Sequence, residues 1–150
     1  MAIDQPRIGV VGVGHLGQHH VKHLAKMKRV RFSGIYDKDR SRAEKIASDY
    51  KIKSFNSLNE LIDGSDGLTV VTPTVDHCAT ALKCIHKGKH VFIEKPISDS
   101  VKSANSLLRA AEESGVLIQV GHIERLNPAL LAIKDYELSP KFIEIQRLAP

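Results

Sequence analysis

Short apolar runs alternate along the chain with longer segments of mixed polarity. Most of the runs are rich in β-branched residues and stop at a glycine or an acidic residue, which is typical of strands buried in a sheet. They occupy residues 8–13, 30–36, 68–71, 90–94 and 116–120, with a weaker run at residues 52–55. Each of these runs is predicted to form a strand.

The segments between the runs carry apolar residues at helical spacing. Helices are predicted over residues 16–27, 40–50, 76–87 and 100–114. Ser57 and Glu60 have the spacing of a capping box, in which each side chain bonds to a free backbone amide of the other, so a short helix is predicted after Ser57. Asp39 is placed to cap the second helix, and Gly88 and Gly115 stand where helix C-terminal caps belong.

The alternation of strands and helices decides the fold class. Crossover segments long enough for a helix favour parallel strands joined by right-handed connections, that is, an α/β fold with a doubly wound parallel sheet. Residues 1–121 are predicted to form this domain. Beyond it, Asn127 and Pro128 mark a helix start, and residues 142–146 alternate like a strand with one solvent-exposed face. Residues 122–150 are therefore predicted to be a linker, a helix and the first strand of a truncated second α+β domain.

Composition narrows the class of protein. The chain has 150 residues, of which 42% are hydrophobic and 26% charged, and this suits a soluble globular protein with a real core. No apolar run approaches the roughly 20 residues that span a bilayer, and the N-terminus lacks a signal-type apolar segment, so we expect a cytoplasmic protein without a membrane partner.

Cys78 and Cys84 fall in one predicted helix without metal-site spacing and are expected to be buried or inert thiols.

The net charge of +5 arises largely from lysines and arginines at residues 22–31. Such a cluster could face nucleic acid, or it could be a solvated helix end that attracts an anionic cofactor or substrate. Because aromatic residues make up only 5% of the chain and no nucleic-acid motif surrounds the cluster, nucleic acid is not predicted as a partner.

A glycine-rich turn follows the first predicted strand. Gly12, Gly14 and Gly17 form a GxGxxG motif, with His15 and Leu16 between the second and third glycines. Between a strand and a helix, the first glycine permits a tight turn, the second lets the backbone approach a pyrophosphate, and the third allows the helix to pack closely on the strand. The helix N-terminus offers free amides to the anion. These five residues are therefore predicted to bind a dinucleotide.

An acidic residue completes this fingerprint. Asp37 stands at the end of the second predicted strand, at about the 20-residue separation that dinucleotide-binding domains show. Its carboxylate can accept hydrogen bonds from the adenosine ribose and would repel a 2'-phosphate, so NAD is predicted rather than NADP. Lys38 and Arg40 leave NADP open, because cations beside the acid can tolerate a 2'-phosphate.

The spacing of the histidines on the first predicted helix makes them candidate metal ligands. His15, His19 and His23 are spaced four residues apart, and His20 lies beside them. The first of them lies in the glycine-rich turn, and no carboxylate or cysteine completes a ligand set. No metal site is predicted.

Polar loops follow three of the predicted strands. In doubly wound sheets ligands bind across the carboxyl ends of the strands, so these loops should line one crevice. The candidate residues are Thr72, Pro73, Thr74 and His77 after one strand, Glu94, Lys95 and Pro96 after the next, and His122, Arg125 and Asn127 after the last. The first two groups are candidates for cofactor binding and the third for the substrate side. Taken singly, each loop could equally be a capped loop with surface charges.

Together these motifs resemble the glucose-fructose oxidoreductase, inositol dehydrogenase and MocA (Gfo/Idh/MocA) family of NAD(P)-dependent sugar dehydrogenases. The resemblance rests on the GxGxxG turn, a TPxxxH-type loop from Thr72 to His77 and, most specifically, the Glu-Lys-Pro motif at residues 94–96. It covers residues 7–150. Within the family, residues 121–128 are most similar to members that act on UDP-linked amino sugars, such as UDP-N-acetylglucosamine 3-dehydrogenases.

The resemblance implies the chemistry of the site. Lys95 would lie beside the nicotinamide and the reacting hydroxyl, where it would orient the substrate and help proton transfer as the catalytic residue of this chain. A lysine partly removed from water gives up its proton more easily. Pro96 would fix the turn that presents Lys95, and the Lys-Pro bond is often cis in the family. The family's further Asp/His pair comes from a second domain and has no counterpart in this sequence.

The predicted function is transfer of hydride between a secondary hydroxyl of a sugar or UDP-sugar and NAD, in a protein expected to be a homo-oligomer in its full-length form. Two alternatives stay open. One is a non-catalytic dinucleotide-binding or regulatory domain, and the other is a reductase of another substrate class, such as a biliverdin or dihydrodiol relative with the same nucleotide half.

Overall fold

The computed structural model describes residues 5–137 and 139–146. Its strands are β1 (Arg7–Val11), β2 (Arg31–Tyr36), β3 (Gly67–Val70), β4 (His90–Ile93) and β5 (Ile118–Val120). Within the described residues they form one five-stranded sheet in the order β2-β1-β3-β4-β5, and every neighbouring pair is parallel. The predicted α/β fold with a doubly wound parallel sheet is confirmed.

Within the described part of the chain, five helices connect successive strands: α1 (His15–Leu24), α2 (Arg40–Tyr50), α3 (Leu58–Asp63), α4 (Thr74–Ile85) and α5 (Val101–Ser114). After β5 come a 3₁₀ turn at Ile123–Leu126 and the short helix α6 (Pro128–Leu131). Helix α4 begins two residues before its predicted start at Asp76. Pro73 immediately precedes it with a φ of −55°, and because proline fixes φ near the helical value it is well suited to a helix start.

Both faces of the sheet are covered, and successive residues of β1 point to opposite faces. Val10 belongs to a core cluster shared with α1 and α2, and Val11 to one shared with α3, α4 and α5. The first cluster contains Val10, Val13, Val21, Ile35, Ala43, Ile46, Ala47 and Val71. The second includes Val11, Leu61, Leu68, Val70, Ile85, Ile93 and Leu107. Because both faces are buried, the strands are nearly continuous apolar runs.

Both cysteines are free thiols on α4. Cys84 lies in the core, where burial raises the pKa of its thiol to about 12. A thiol with so high a pKa carries almost no reactive thiolate. The prediction of a buried, inert thiol is confirmed for Cys84, while Cys78 is half-buried.

Side-chain caps begin several helices as predicted. Asp39 accepts a hydrogen bond of 3.0 Å from the amide three residues further on, and Ser57 accepts one of 3.2 Å in the same way. Among the described residues only this half of the predicted capping box forms, because the Glu60 side chain does not bond to the Ser57 amide. Asn127 accepts a hydrogen bond of 3.0 Å from the amide two residues further on. Gly115, with a φ of 64°, ends α5 in the left-handed conformation. These local signals depend on neighbouring residues alone, which is why the sequence predicts them well.

The predicted strand at residues 52–55 is wrong. The segment makes a single bridge, between Ile35 and Ser54, and Ile35 exchanges two backbone hydrogen bonds of 2.9 Å with the segment. The edge strand β2 is irregular here, because its register with β1 shifts ahead of Gly34, which has a φ of +135°. A strand that bends at such a bulge presents its edge over too short a distance for a further ladder to form.

The predicted strand at residues 142–146 is also wrong. These residues have no regular secondary structure, and their side chains are exposed. A strand is held by hydrogen bonds to a neighbouring strand. Within residues 5–137 and 139–146 no other segment pairs with this one. The division of the chain into residues 1–121 and 122–150 stays a prediction.

An ion pair joins the start of β1 to the loop before β3. The carboxylate of Asp66 accepts hydrogen bonds from Nη2 of Arg7 at 2.7 Å, from Nε at 3.1 Å and from the Arg7 backbone amide at 2.8 Å. The side-chain bonds, followed by the backbone bond, lower the pKa of Asp66 from 3.8 to about 2.

The lowered pKa of Asp66 predicts that part of the free energy of unfolding is lost at low pH. A carboxyl group that is more acidic in the folded chain stabilises the fold above its unfolded pKa of 3.8, and this contribution is lost as the pH falls toward about 2. The pair is partly exposed, so we expect a small effect. Urea unfolding should show the Asp66→Asn variant to be less stable at neutral pH, with the difference shrinking as the pH falls below about 4. A difference independent of pH would contradict this assignment.

Candidate functional site

A cleft of about 740 Å³ opens at the carboxyl ends of β1, β2 and β3. The strand order reverses at this point, because β2 lies on one side of β1 and β3 on the other. Doubly wound folds bind their ligands at such switch points. Of the residues predicted to bind a cofactor, those that line the cleft are Gly12, Gly14, His15, Leu16, Asp37, Thr72 and Pro73.

The three glycine positions of the turn differ in how much room the surrounding atoms leave for a side chain. Gly12 has a φ of +89°, and a Cβ added there would lie 2.7 Å from the carbonyl oxygen of Val71. A Cβ added to Gly17 would lie 2.0 Å from the carbonyl oxygen of Gly12. At Gly14, by contrast, the nearest atom to an added Cβ is Nη1 of Arg42, at 3.9 Å. The fold itself requires glycine at the first and third positions, whereas the second leaves open space in the cleft wall.

Helix α1 begins at this open space. Gly14 is the N-terminal cap residue of α1, and no side chain of the described residues caps the helix there. The first amides of a helix have no partner within the helix and carry a partial positive charge. The space at Gly14 and these amides together provide a place for an anionic group.

Asp37 is held by the backbone through both of its oxygens. Oδ2 accepts a hydrogen bond of 2.7 Å from the amide of Val13, and Oδ1 accepts one of 2.8 Å from the amide of Asp39. The side chain is only 9% exposed. The carboxylate therefore joins the glycine-rich turn to the end of β2, a contact that the sequence did not reveal. A carboxylate oxygen accepts more than one hydrogen bond, so capacity for a ligand hydroxyl remains.

The cations that follow Asp37 are paired with carboxylates. Nζ of Lys38 lies 2.9 Å from Oδ2 of Asp76, on the first turn of α4. Nε of Arg40 lies 2.7 Å from Oε1 of Glu44, one turn further along α2. The sequence left both cations available to a phosphate, and the structure gives each of them a carboxylate partner.

Thr72 contributes an unpaired polar atom to the cleft wall. Its Oγ1 is buried and has no hydrogen-bond partner among the described residues. A buried polar group without a partner costs about 1–3 kcal/mol. Thr72 lines the cleft, so rotation of its side chain would bring Oγ1 to a polar group of a bound molecule.

His77 lies beneath the loops rather than in the cleft. It is 1% exposed, with Nε2 2.9 Å from the carbonyl oxygen of Thr72 and Nδ1 2.9 Å from that of Pro96. It therefore holds together the loop after β3 and the loop after β4. The structure does not bring His77 to the cleft surface, and Thr74, the first residue of α4, is not among the residues that line it.

The Glu-Lys-Pro turn follows β4, outside the lining of the cleft. Oε1 of Glu94 lies 3.0 Å from Nε2 of His20, and Oε2 accepts a hydrogen bond of 3.1 Å from the Lys95 amide. A Cβ added to Gly121 would lie 3.0 Å from the Glu94 carboxylate. The peptide bond between Lys95 and Pro96 is cis, as the resemblance implied. Sequence reasoning missed the role of His20, which lies one turn after the last glycine of the motif.

The side chain of Lys95 is exposed. The desolvation that we expected for this lysine is therefore not provided by the described residues. Only a bound molecule or a further protein segment packed over Lys95 would remove its side chain from water.

None of the predicted substrate-side residues lines the cleft. His122 and Arg125 are exposed. Asn127 is engaged locally, since its Oδ1 caps α6 and its Nδ2 donates a hydrogen bond of 2.8 Å to Oε2 of Glu124.

Two further properties concern the described residues as a whole. No group of histidine, cysteine, aspartate and glutamate side chains among them could hold a metal ion. None of their helices has the length and apolar character needed to cross a membrane.

The parallel sheet, the glycine-rich turn at the start of α1 and the acid at the end of β2 define a nucleotide-binding domain of the Rossmann type. Residues 6–122 match the family model described as an oxidoreductase family with an NAD-binding Rossmann fold. The chain belongs to this family, the Gfo/Idh/MocA oxidoreductases. The family membership inferred from the motifs is confirmed.

Two relatives with at least 34% identity are named as dehydrogenases of sugars. The chain is 34% identical over 145 residues to UDP-N-acetylglucosamine 3-dehydrogenase of Acidithiobacillus ferrooxidans, a match that covers 96% of this chain and 46% of that protein. It is 35% identical over 115 residues to glucose-6-phosphate 3-dehydrogenase of Bacillus subtilis, covering 77% of this chain and 33% of that protein. The chain thus spans less than half the length of these relatives.

Solved structures support the same family. The structure of the Acidithiobacillus ferrooxidans enzyme superposes with a TM-score of 0.84 at 32% identity, over 88% of this chain and 43% of that chain. GenD2 from gentamicin A biosynthesis, solved in complex with NAD, superposes with a TM-score of 0.81 at 27% identity, over 88% of this chain and 38% of that chain.

Proposed function

We propose that this chain binds NAD in the cleft and forms the cofactor half of a dehydrogenase that acts on a secondary hydroxyl of a sugar or nucleotide sugar. The observation that carries the proposal is the open space at Gly14, which meets the uncapped start of α1 next to Asp37. Membership of the oxidoreductase family and the NAD complex of a related structure support it.

Each part of the cleft suits one part of a dinucleotide. The amides at the start of α1 would bind the pyrophosphate, and Gly14 leaves room for it. Asp37 would accept hydrogen bonds from the adenosine ribose. The unpaired Oγ1 of Thr72 would bond to a polar group of the cofactor. When bound, the nicotinamide would supply the hydride chemistry.

Lys95 is proposed as the catalytic residue. Glu94 holds the backbone of the turn through the Lys95 amide, and this contact leaves the lysine side chain free to face a substrate. There it would orient the reacting hydroxyl and accept its proton as the carbon loses hydride. His122, Arg125 and Asn127 are proposed to lie on the substrate side of the same crevice.

Binding and turnover can be measured separately. NADH fluorescence should show saturable binding to the chain, tighter than that of NADPH. Oxidation of UDP-N-acetylglucosamine, glucose 6-phosphate and myo-inositol would then be followed by NADH formation from NAD. Turnover of one of these sugars supports the full proposal, and failure to bind either dinucleotide refutes it.

A second candidate function is dinucleotide binding without turnover. It is favoured by the exposure of Lys95 and by the position of Lys95 outside the lining of the cleft. Because the first proposal makes this chain the cofactor half of an enzyme, saturable NADH binding without oxidation of any of the sugars supports the second candidate where the assayed protein also contains a substrate-binding half.

A further inference from the structure

We propose that Asp76 determines cofactor specificity: by pairing with Lys38 across the mouth of the cleft, it withholds a cation from the 2'-position of the adenosine ribose and so favours NAD over NADP. The inference rests on the proposed function, because it concerns the same cleft. It assigns the preference to a residue on α4, far along the chain from the acid of the fingerprint.

Lys38 and Asp76 belong to different parts of the fold, which meet at the cleft. Lys38 directly follows Asp37 at the end of β2, whereas Asp76 lies on the first turn of α4. Both line the cleft, and Nζ of Lys38 lies 2.9 Å from Oδ2 of Asp76. Because Asp37 is the residue expected to meet the ribose hydroxyls, a cation of the cleft lining such as its sequence neighbour Lys38 is a candidate to meet a 2'-phosphate.

Two other cations of this region, both arginines, are also paired with carboxylates. Arg42 places Nη2 3.0 Å from Oδ2 of Asp39 and Nη1 3.6 Å from Oδ2 of Asp37. Arg40 pairs with a glutamate along α2 and is not among the residues that line the cleft. Lys83 lines the cleft too, but it lies about two turns further along α4 than Asp76.

The charges of Lys38 and Asp76 determine how strongly this part of the cleft attracts a 2'-phosphate. An ammonium that already faces a carboxylate attracts a further anion weakly, and the carboxylate itself repels it. Removing the Asp76 charge would free the donors of Lys38 for a phosphate dianion. A unit charge several ångströms from a phosphate dianion in water changes its affinity by about fivefold to tenfold.

The test compares the ratio of the NADPH and NADH dissociation constants across variants. Asp76→Asn keeps the size of the side chain and removes its charge, and we expect this ratio to shift toward NADPH by about fivefold to tenfold. The shift should be smaller when Asp76→Asn is introduced into a Lys38→Met background, where only the direct repulsion by the carboxylate is lost, and it should shrink as salt is raised.

A matched control is available on the opposite side of the domain. Asp63 of α3 forms a similarly exposed pair with Lys87, with Nζ 3.1 Å from Oδ1, and neither residue lines the cleft. Asp63→Asn should leave the ratio of the two dissociation constants unchanged.

Each outcome decides the inference. If Asp76→Asn leaves the ratio at its wild-type value while NADH still binds, the inference is wrong and the proposed function stands. A shift of the same size with and without Lys38, measured as Asp76→Asn against wild type and as the double variant against Lys38→Met, also overturns it, because Lys38 would then play no part. If the wild-type chain binds neither dinucleotide, the proposed function and this inference fall together.

Discussion

Replacement of Gly17 by alanine is expected to unfold the domain or come close to it. The added Cβ would lie 2.0 Å from the carbonyl oxygen of Gly12 and 2.9 Å from its carbonyl carbon. Both are backbone atoms, so relief requires α1 or the turn after β1 to move. That turn is held by the Asp37 carboxylate and by a hydrogen bond of 2.8 Å from the Gly12 amide to the Tyr36 carbonyl oxygen. A loss above about 4 kcal/mol is expected, as for the most severe single substitutions. Domains of this kind have only about 5–15 kcal/mol of stability.

Gly14→Ala is the matched control, and urea unfolding followed by circular dichroism measures both variants. An alanine at this position has no neighbour closer than 3.9 Å, and the backbone φ of −64° suits any residue. Stability should therefore change by less than about 1 kcal/mol, since no mechanism of large destabilisation applies. If Gly17→Ala unfolds at the same urea concentration as wild type, the close packing at the turn has been misassigned.

The same control also tests the ligand site. A methyl group on Gly14 would occupy the space proposed for the pyrophosphate, so NADH affinity should fall by at least about tenfold, or 1.4 kcal/mol. Retention of wild-type affinity in a folded Gly14→Ala chain would remove the main support for the proposed binding mode. The two glycines thus separate what the fold requires from what a ligand requires.

The fold and the phosphate-binding turn were predictable because their signals are local. The glycine spacing, the acid at the end of β2 and the helix caps each involve neighbouring residues or a fixed separation along the chain. Buried parallel strands also leave continuous apolar runs that stand out in a sequence. The same rule failed at residues 52–55, where the bulge at Gly34 limits pairing. A glycine inside an apolar run is a local signal of such a bulge, but its effect on the neighbouring segment depends on the fold.

Contacts between distant residues could not be predicted from one sequence. The pairing of Lys38 with Asp76, and of His20 with Glu94, depends on how helices pack over the sheet. His77 illustrates the same limit, because its position after a polar loop suggested a ligand contact, whereas packing buries it between two carbonyl oxygens. The composition of a loop indicates that it is polar, and only the fold decides which side chains reach its surface.

Substitution of Lys95 is expected to have the largest effect on turnover. Loss of a general acid or base typically lowers rates by about 10²–10⁴-fold, so kcat of Lys95→Met should fall by that amount in whichever sugar reaction the wild type performs. NADH affinity should stay within about tenfold, or 1.4 kcal/mol, of wild type. The side chain lies outside the cleft lining, and the bond to Glu94 uses only the Lys95 backbone amide. Lys102→Met, at an exposed lysine on α5, is the control and should change neither quantity.

A second variant separates two roles that Lys95→Met removes together. Arginine keeps the positive charge and several N–H donors but does not release its proton in proteins, so Lys95→Arg can orient a hydroxyl without accepting a proton from it. If proton transfer is the main role, Lys95→Arg should be about as slow as Lys95→Met. If orientation dominates, it should recover much of the rate. Near wild-type turnover in Lys95→Met would contradict both roles, because the exposed ammonium would then contribute nothing that the rest of the site does not already supply.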